Sequence, residues 1–142
     1  MLRQLDATAA PGPTSTTEAD AQLYGRIASA VIYANPTLRA KNTIIARNRR
    51  GQSGLWGYGI SGDLPIVLLR IAKPTEIDLV RRMVQAHAYW RLKGLPVDLV
   101  IWNEDQSGYR QDLQDRIMGL IASGSEAQRL DHARAPRQLW LL

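Results

Sequence analysis

The residues best suited to chemistry fall in two stretches. The first runs Arg50-Gly51-Gln52-Ser53-Gly54-Leu55-Trp56-Gly57-Tyr58-Gly59-Ile60-Ser61-Gly62-Asp63-Leu64-Pro65. Its glycines let the backbone adopt φ > 0 and approach another group closely. Trp56 and Tyr58 stand between them with little local cover. A flat aromatic face suits the apolar C–H face of a pyranose, and Arg50, Gln52 and Asp63 would bind its hydroxyls. The other use of Trp56 is burial, since large aromatics contribute most through buried area. It would then plug the loop onto the first helix or the sheet. Gly57 to Gly62 spells G-x-G-x-x-G, but a dinucleotide fingerprint follows a strand and opens a helix. Here the glycines precede the strand, so no dinucleotide is expected.

The second stretch is Asn103-Glu104-Asp105-Gln106-Ser107-Gly108. Adjacent carboxylates beside a helix start could hold a divalent cation or act as acid and base. A metal would need more oxygen ligands than these two residues guarantee, so no metal and no cofactor is expected. The commoner use is capping: Asp105 or Ser107 caps the helix, and Glu104 sits in solvent near its positive end. His87 falls on an apolar helical stripe and reads as a hydrogen-bonded core histidine. His132 lies in a polar stretch with no evident partner. No Ser-His-Asp order and no paired-His spacing occurs, and no catalytic residue is assigned.

Several elements must position these stretches. Residues 1–16 are rich in Pro, Thr and Ala and read as a flexible arm or linker. Residues 17–142 read as a single domain, truncated at its C-terminus because Leu139-Trp140-Leu141-Leu142 closes the sequence inside an apolar strand. A first helix begins at Thr17, where Thr17 and Asp20 form an Asp version of the capping box. Leu23, Ile27, Ala30, Val31 and Ala34 form its apolar face, and Asn35-Pro36 stops it. A shorter helix is expected from Leu38 to Asn48, burying Leu38, Ile44 and Ile45.

Strand one is expected from Pro65 to Ile71, its continuous apolar run implying burial on both faces. Pro74-Thr75 opens the next helix, with Thr75 and Asp78 as its cap. Ile77, Val80, Val84, His87 and Arg91 lie along one line of it, with Met83 and Trp90 beside them. Gly94 and Pro96 end it near Lys93. Asp98 to Asn103 is the second strand. A last helix follows from Tyr109 to Ala122, with Tyr109, Leu113, Ile117 and Ile121 as its stripe, then a loop from Ser123 to Arg137. The chain therefore reads as α/β: a small parallel sheet of about three strands, helices packed on its faces, and two helices in front.

Composition narrows the classes. The chain has 142 residues, 45% hydrophobic, which suits one globular domain. There is no Cys, which excludes disulfides and thiolate metal sites. No run approaches the ~20 apolar residues that span a bilayer. Lys and Arg number 18 against 13 acids, a net charge of +5. Arg39, Lys41, Arg47, Arg49 and Arg50 cluster without an acid among them. They suit either an anion site for phosphate, acidic lipid or an acidic domain, or a solvated face. Charge alone is the only argument for nucleic acid, and none is expected as a partner.

Longer strings carry a resemblance. RNRRGQSGLWGYGISGDLPIVLLRI, QAHAYWRLKG and VDLVIWNEDQSGYRQDLQDRI resemble a segment of the bacterial cyclic β-1,2-glucan synthetases, over about Ala19 to Ala122. The family consists of very large membrane-bound enzymes that join a UDP-glucose-dependent glucosyltransferase part to a part related to cellobiose phosphorylase. The resemblance implies a piece of the C-terminal half, at the cytoplasmic side of the inner membrane, the piece itself soluble. None of the family's catalytic residues maps here. The expectation is an accessory, non-catalytic domain that positions catalytic modules or guides the glucan. The alternative is a module binding carbohydrate or nucleotide sugar through the glycine loop. Expected partners are other domains of the parent, with β-1,2-glucan or UDP-glucose as ligand. For the isolated piece, a homodimer through the edge at Leu139–Leu142 is a further expectation.

Overall fold

The computed structural model describes residues 16–129 and 139–142. The expected N-terminal arm, apart from Thr16, and His132 lie outside them.

Helix α1 spans Glu18–Ile32 and starts as the sequence indicates. The Thr17 hydroxyl accepts from the Asp20 amide at 3.1 Å, and the Asp20 carboxylate accepts from the Thr17 amide at 3.1 Å. The Thr17 hydroxyl also donates to Asp20 Oδ2 at 2.7 Å, and the bonds from that hydroxyl and from the Thr17 amide hold the Asp20 carboxyl below its usual range. The helix ends ahead of Asn35-Pro36, with Tyr33 as its cap and Ala34 at φ 50°. Its buried anchor is Tyr24 rather than Leu23, which is exposed. The Tyr24 carbonyl accepts from the Trp90 indole at 2.8 Å, and its ring meets that of Tyr89 at 5.6 Å.

The expected helix from Leu38 to Asn48 is a correction. A 3-10 turn occupies Pro36–Leu38, the chain extends at Arg39, and only Asn42–Arg47 forms helix α2. Asn35 accepts from the Thr37 amide at 3.0 Å and opens that tight turn instead of a longer helix. Leu38, Ile44 and Ile45, expected to be buried, are exposed. Three apolar residues over a short, β-branched segment supply too little face to hold it on the body. A single helical turn, α3, follows at Ser53–Trp56.

Strands β1 (Ile66–Ile71) and β2 (Asp98–Asn103) pair in parallel, Ile66 opposite Asp98 through Ile71 opposite Asn103. Strand β3 (Leu139–Leu141) lies parallel on the other side of β2, giving the order β1-β2-β3. Helix α4 (Ile77–Leu92) links β1 to β2, and α5 (Arg110–Arg129) leaves β2. The α/β reading with a small parallel sheet therefore holds. Helix α4 closes with Gly94 at φ 80°, the left-handed position glycine occupies without strain. The expected Thr75–Asp78 cap is replaced by Glu76, whose carboxylate accepts from the amides of Ala72 (2.9 Å) and Lys73 (3.1 Å). These bonds lower the Glu76 carboxyl from its usual range. Helix α5 runs on to Arg129, so Ser123–Arg129 is helical rather than loop, and Tyr109 is exposed rather than part of the buried stripe.

Ile71, Leu99 and Ile101 of the sheet pack with Val80, Val84 and Trp90 of α4 and with Leu113 and Ile117 of α5. The two helices also meet each other closely: a Cβ at Gly124 would lie 2.7 Å from Val84 Cγ1. Burial of β1 on both faces is corrected. Ile66, Leu68 and Arg70 are exposed while Ile71 is fully buried, so β1 alternates. Helices α4 and α5 cover the side of Leu99 and Ile101; on the other, Leu68 and Trp102 reach solvent.

Candidate functional site

The glycine loop is held by its own bonds. Gln52 Nε2 donates to the Ser61 carbonyl and to Asp63 Oδ1, both at 2.8 Å. Trp56 Nε1 donates to the same carbonyl at 3.3 Å. Gly62 sits at φ 77° with no room for a side chain: a Cβ there would lie 2.8 Å from Gln52 Cγ and 3.0 Å from Leu55 Cδ1. Ile60 is buried, and its amide donates to the Leu55 carbonyl at 3.3 Å. Sequence spacing alone could not show that Gln52, Ser61 and Asp63 would converge.

The aromatic rings face outward. Trp56 is 63% and Tyr58 59% exposed, so Trp56 does not plug the loop into the core. Arg50, Gln52, Leu55 and Tyr58 share an open depression of about 430 Å³ with Asn48, Gly51 and Gly54. Trp56 stands at the same loop, tied through Ser61 to Gln52. The arrangement offers an aromatic face, an amide, a guanidinium and a carboxylate, groups that stack on and hydrogen-bond to a polyhydroxyl ligand.

At the C-terminal end of β2 the two carboxylates serve different partners. Glu104 takes a two-pronged bond from Arg70, Nε and Nη2 each at 3.0 Å. Its amide donates to the Ile71 carbonyl at 2.7 Å, tying the strand ends together. Asp105 is buried: Oδ1 accepts from the Ser107 amide at 2.8 Å, and its own amide donates to Asn103 Oδ1 at 3.0 Å. Ser107 Oγ in turn accepts from the Tyr109 amide at 3.2 Å, shaping the lead into α5. Hydrogen bonds from Ser107 hold the Asp105 carboxyl below its usual range. Among the described residues, its Oδ2 is buried without a partner. Asn103 Nδ2 donates to Gln114 Oε1 at 3.0 Å, and Gln114 borders a second open depression, about 520 Å³, with Gly108, Arg110 and Gln111. Among the described residues, no group of three or more His, Asp or Glu is placed to hold a metal ion.

Sequence reasoning missed Arg70, Asn103 and Gln114 as organisers of this end. The one available signal was Arg70 itself, a cation interrupting an apolar strand. His87 is where the sequence put it. It is fully buried, with Nε2 2.8 Å from the Val97 carbonyl, and burial pulls its pKa from 6.5 to about 4.

Fold and site together define a small α/β domain whose exposed aromatic loop precedes its first strand. No family model matches the chain, and no solved structure matches it. The chain is similar to the cyclic β-(1,2)-glucan synthase NdvB of Rhizobium meliloti (strain 1021), with 39% identity over 103 residues. The match takes in 72% of this chain and 4% of that protein. The chain is thus related to a segment of a cyclic β-1,2-glucan synthetase, as its residue strings indicate. Among the described residues, no helix is long and apolar enough to cross a membrane.

Proposed function

We propose that this chain is an accessory, non-catalytic segment acting in cyclic β-1,2-glucan synthesis, and that it guides the glucan between catalytic modules. The observation that supports this reading is the pair of outward aromatics, Trp56 and Tyr58, on a loop fastened by Gln52, Ser61 and Asp63. A preorganised aromatic ledge binds a sugar chain with little ordering cost. The non-catalytic part rests on the engagement of Glu104 by Arg70 and of Asp105 by Ser107. Neither carboxylate is left as a free pair across a reacting bond. The relationship to a glucan synthase supplies the substrate class.

The test is incubation of the chain with labelled UDP-glucose and a short β-1,2-glucan. No label enters the glucan if the reading holds. Incorporation that Glu104→Gln removes would contradict it. A nucleotide-sugar module using the same loop is the second reading, supported by Arg50 at the rim of the depression. It requires UDP-glucose to bind in preference to glucan, with Arg50→Gln weakening that binding.

A further inference from the structure

The connection between α1 and the glycine loop stands apart from the body. Every residue from Pro36 to Ser53 is exposed, and the core draws no side chain from it. Five bases, Arg39, Lys41, Arg47, Arg49 and Arg50, lie in that stretch with no acid. Among the described residues, none of the five is neutralised by a salt bridge. Apolar side chains share the segment: Leu38 is 73%, Ile44 59% and Ile45 41% exposed. At 100° per residue, Ile44 and Ile45 fall on one side of α2, with Lys41 at its N-cap and Arg47 in its last turn.

We propose that residues 36–50 form a docking arm for an anionic lipid surface. Charge complementarity selects the occupant: unpaired guanidinium and ammonium groups meet lipid phosphates, each worth about fivefold in affinity near such a surface. The isoleucines select lipid over nucleic acid, which offers them no apolar layer. A bilayer interface takes aliphatic groups into the acyl boundary and leaves the cations at headgroup level. The arm is exposed throughout and the core draws no side chain from it, which suits a deformable interface better than the preformed pocket of a protein hot spot. This inference shares Arg50 with the loop depression, so its tests are placed at Leu38, Ile44, Ile45, Arg47 and Arg49, none of which the glucan reading uses.

The experiment is co-sedimentation of the full chain with vesicles of phosphatidylcholine alone and of phosphatidylcholine with phosphatidylglycerol. Binding at least about tenfold stronger to the anionic vesicles, falling with salt, is expected. Ile44→Ser with Ile45→Ser, and separately Arg47→Gln with Arg49→Gln, should each weaken it about tenfold or more, with unchanged circular dichroism. A second readout uses the absence of cysteine. An environment-sensitive dye on Leu38→Cys should shift to the blue with anionic vesicles and not with heparin. Equal binding to both vesicle types, or none, overturns the proposal. So does anionic binding that the isoleucine variant retains in full, which would be plain polyanion attraction.

Discussion

His87 should make this domain acid-labile well above the pH at which its carboxylates protonate. The ring is fully buried, and its Nε2 lies 2.8 Å from the Val97 carbonyl. That contact requires Nε2 to carry the proton and leaves Nδ1 as a lone pair, buried without a partner among the described residues. A second proton would create a buried cation at Nδ1 with no acceptor among the described residues. Burial accordingly lowers the pKa from 6.5 to about 4. At about 1.36 kcal/mol per tenfold in proton affinity, neutral His87 accounts for about 3 kcal/mol of stability. The sign follows from a folded pKa below the unfolded one. The stability is fully present above pH 6.5 and declines as pH falls toward about 4. Asp20, Glu76 and Asp105 also have lowered pKa values, but their contribution is lost below the usual carboxylate range, under that window. Urea unfolding across the window, for the wild type and for His87→Gln, separates the two. The glutamine keeps a donor for Val97 and cannot titrate. The wild type should lose about 3 kcal/mol that the variant does not. Parallel pH profiles, or the His87 imidazole titrating near 6.5 by NMR, would refute the reasoning.

Three further outcomes follow from close contacts. Gly62→Ala places a Cβ 2.8 Å from Gln52 Cγ at φ 77°, and should release the glycine loop. Amide exchange there should rise, with a cost of about 1–3 kcal/mol in loop stability. Gly124→Ala sets a methyl 2.7 Å from Val84 Cγ1 and should destabilise the α4–α5 contact by about 1–3 kcal/mol, read by denaturant midpoint; adding Val84→Ala should restore part of it. Trp90→Phe removes the buried bond to the Tyr24 carbonyl and should loosen α1 from α4, costing about 1–3 kcal/mol, with faster exchange confined to α1.

Periodicity carried the sheet and the long helices. The alternation of buried positions along α4 matched its sequence stripe through Ile77, Val80, Val84 and His87, because one face packs on one surface. Capping at Thr17 was legible because both partners lie three residues apart. Three features were not legible. Apolar runs do not say how many faces are covered, so Leu68 looked buried. The segment from Leu38 to Asn48 had helical spacing but nothing to pack against, which is a fact of tertiary structure. The Glu76 cap depends on amides freed by the turn after β1, which the neighbouring Thr-x-x-Asp pattern does not encode. In the candidate site, Trp56 and Tyr58 were found by type, whereas the separate engagements of Glu104 and Asp105 depended on Arg70 and on the turn at Ser107.

The most direct test of the glucan-guiding account is an amide-shift NMR titration of the chain with short β-1,2-glucans. Shifts confined to residues 51–63, lost in a folded Trp56→Ala variant, are the expected result. No shifts at millimolar glucan, or shifts only at residues 103–108, would contradict it.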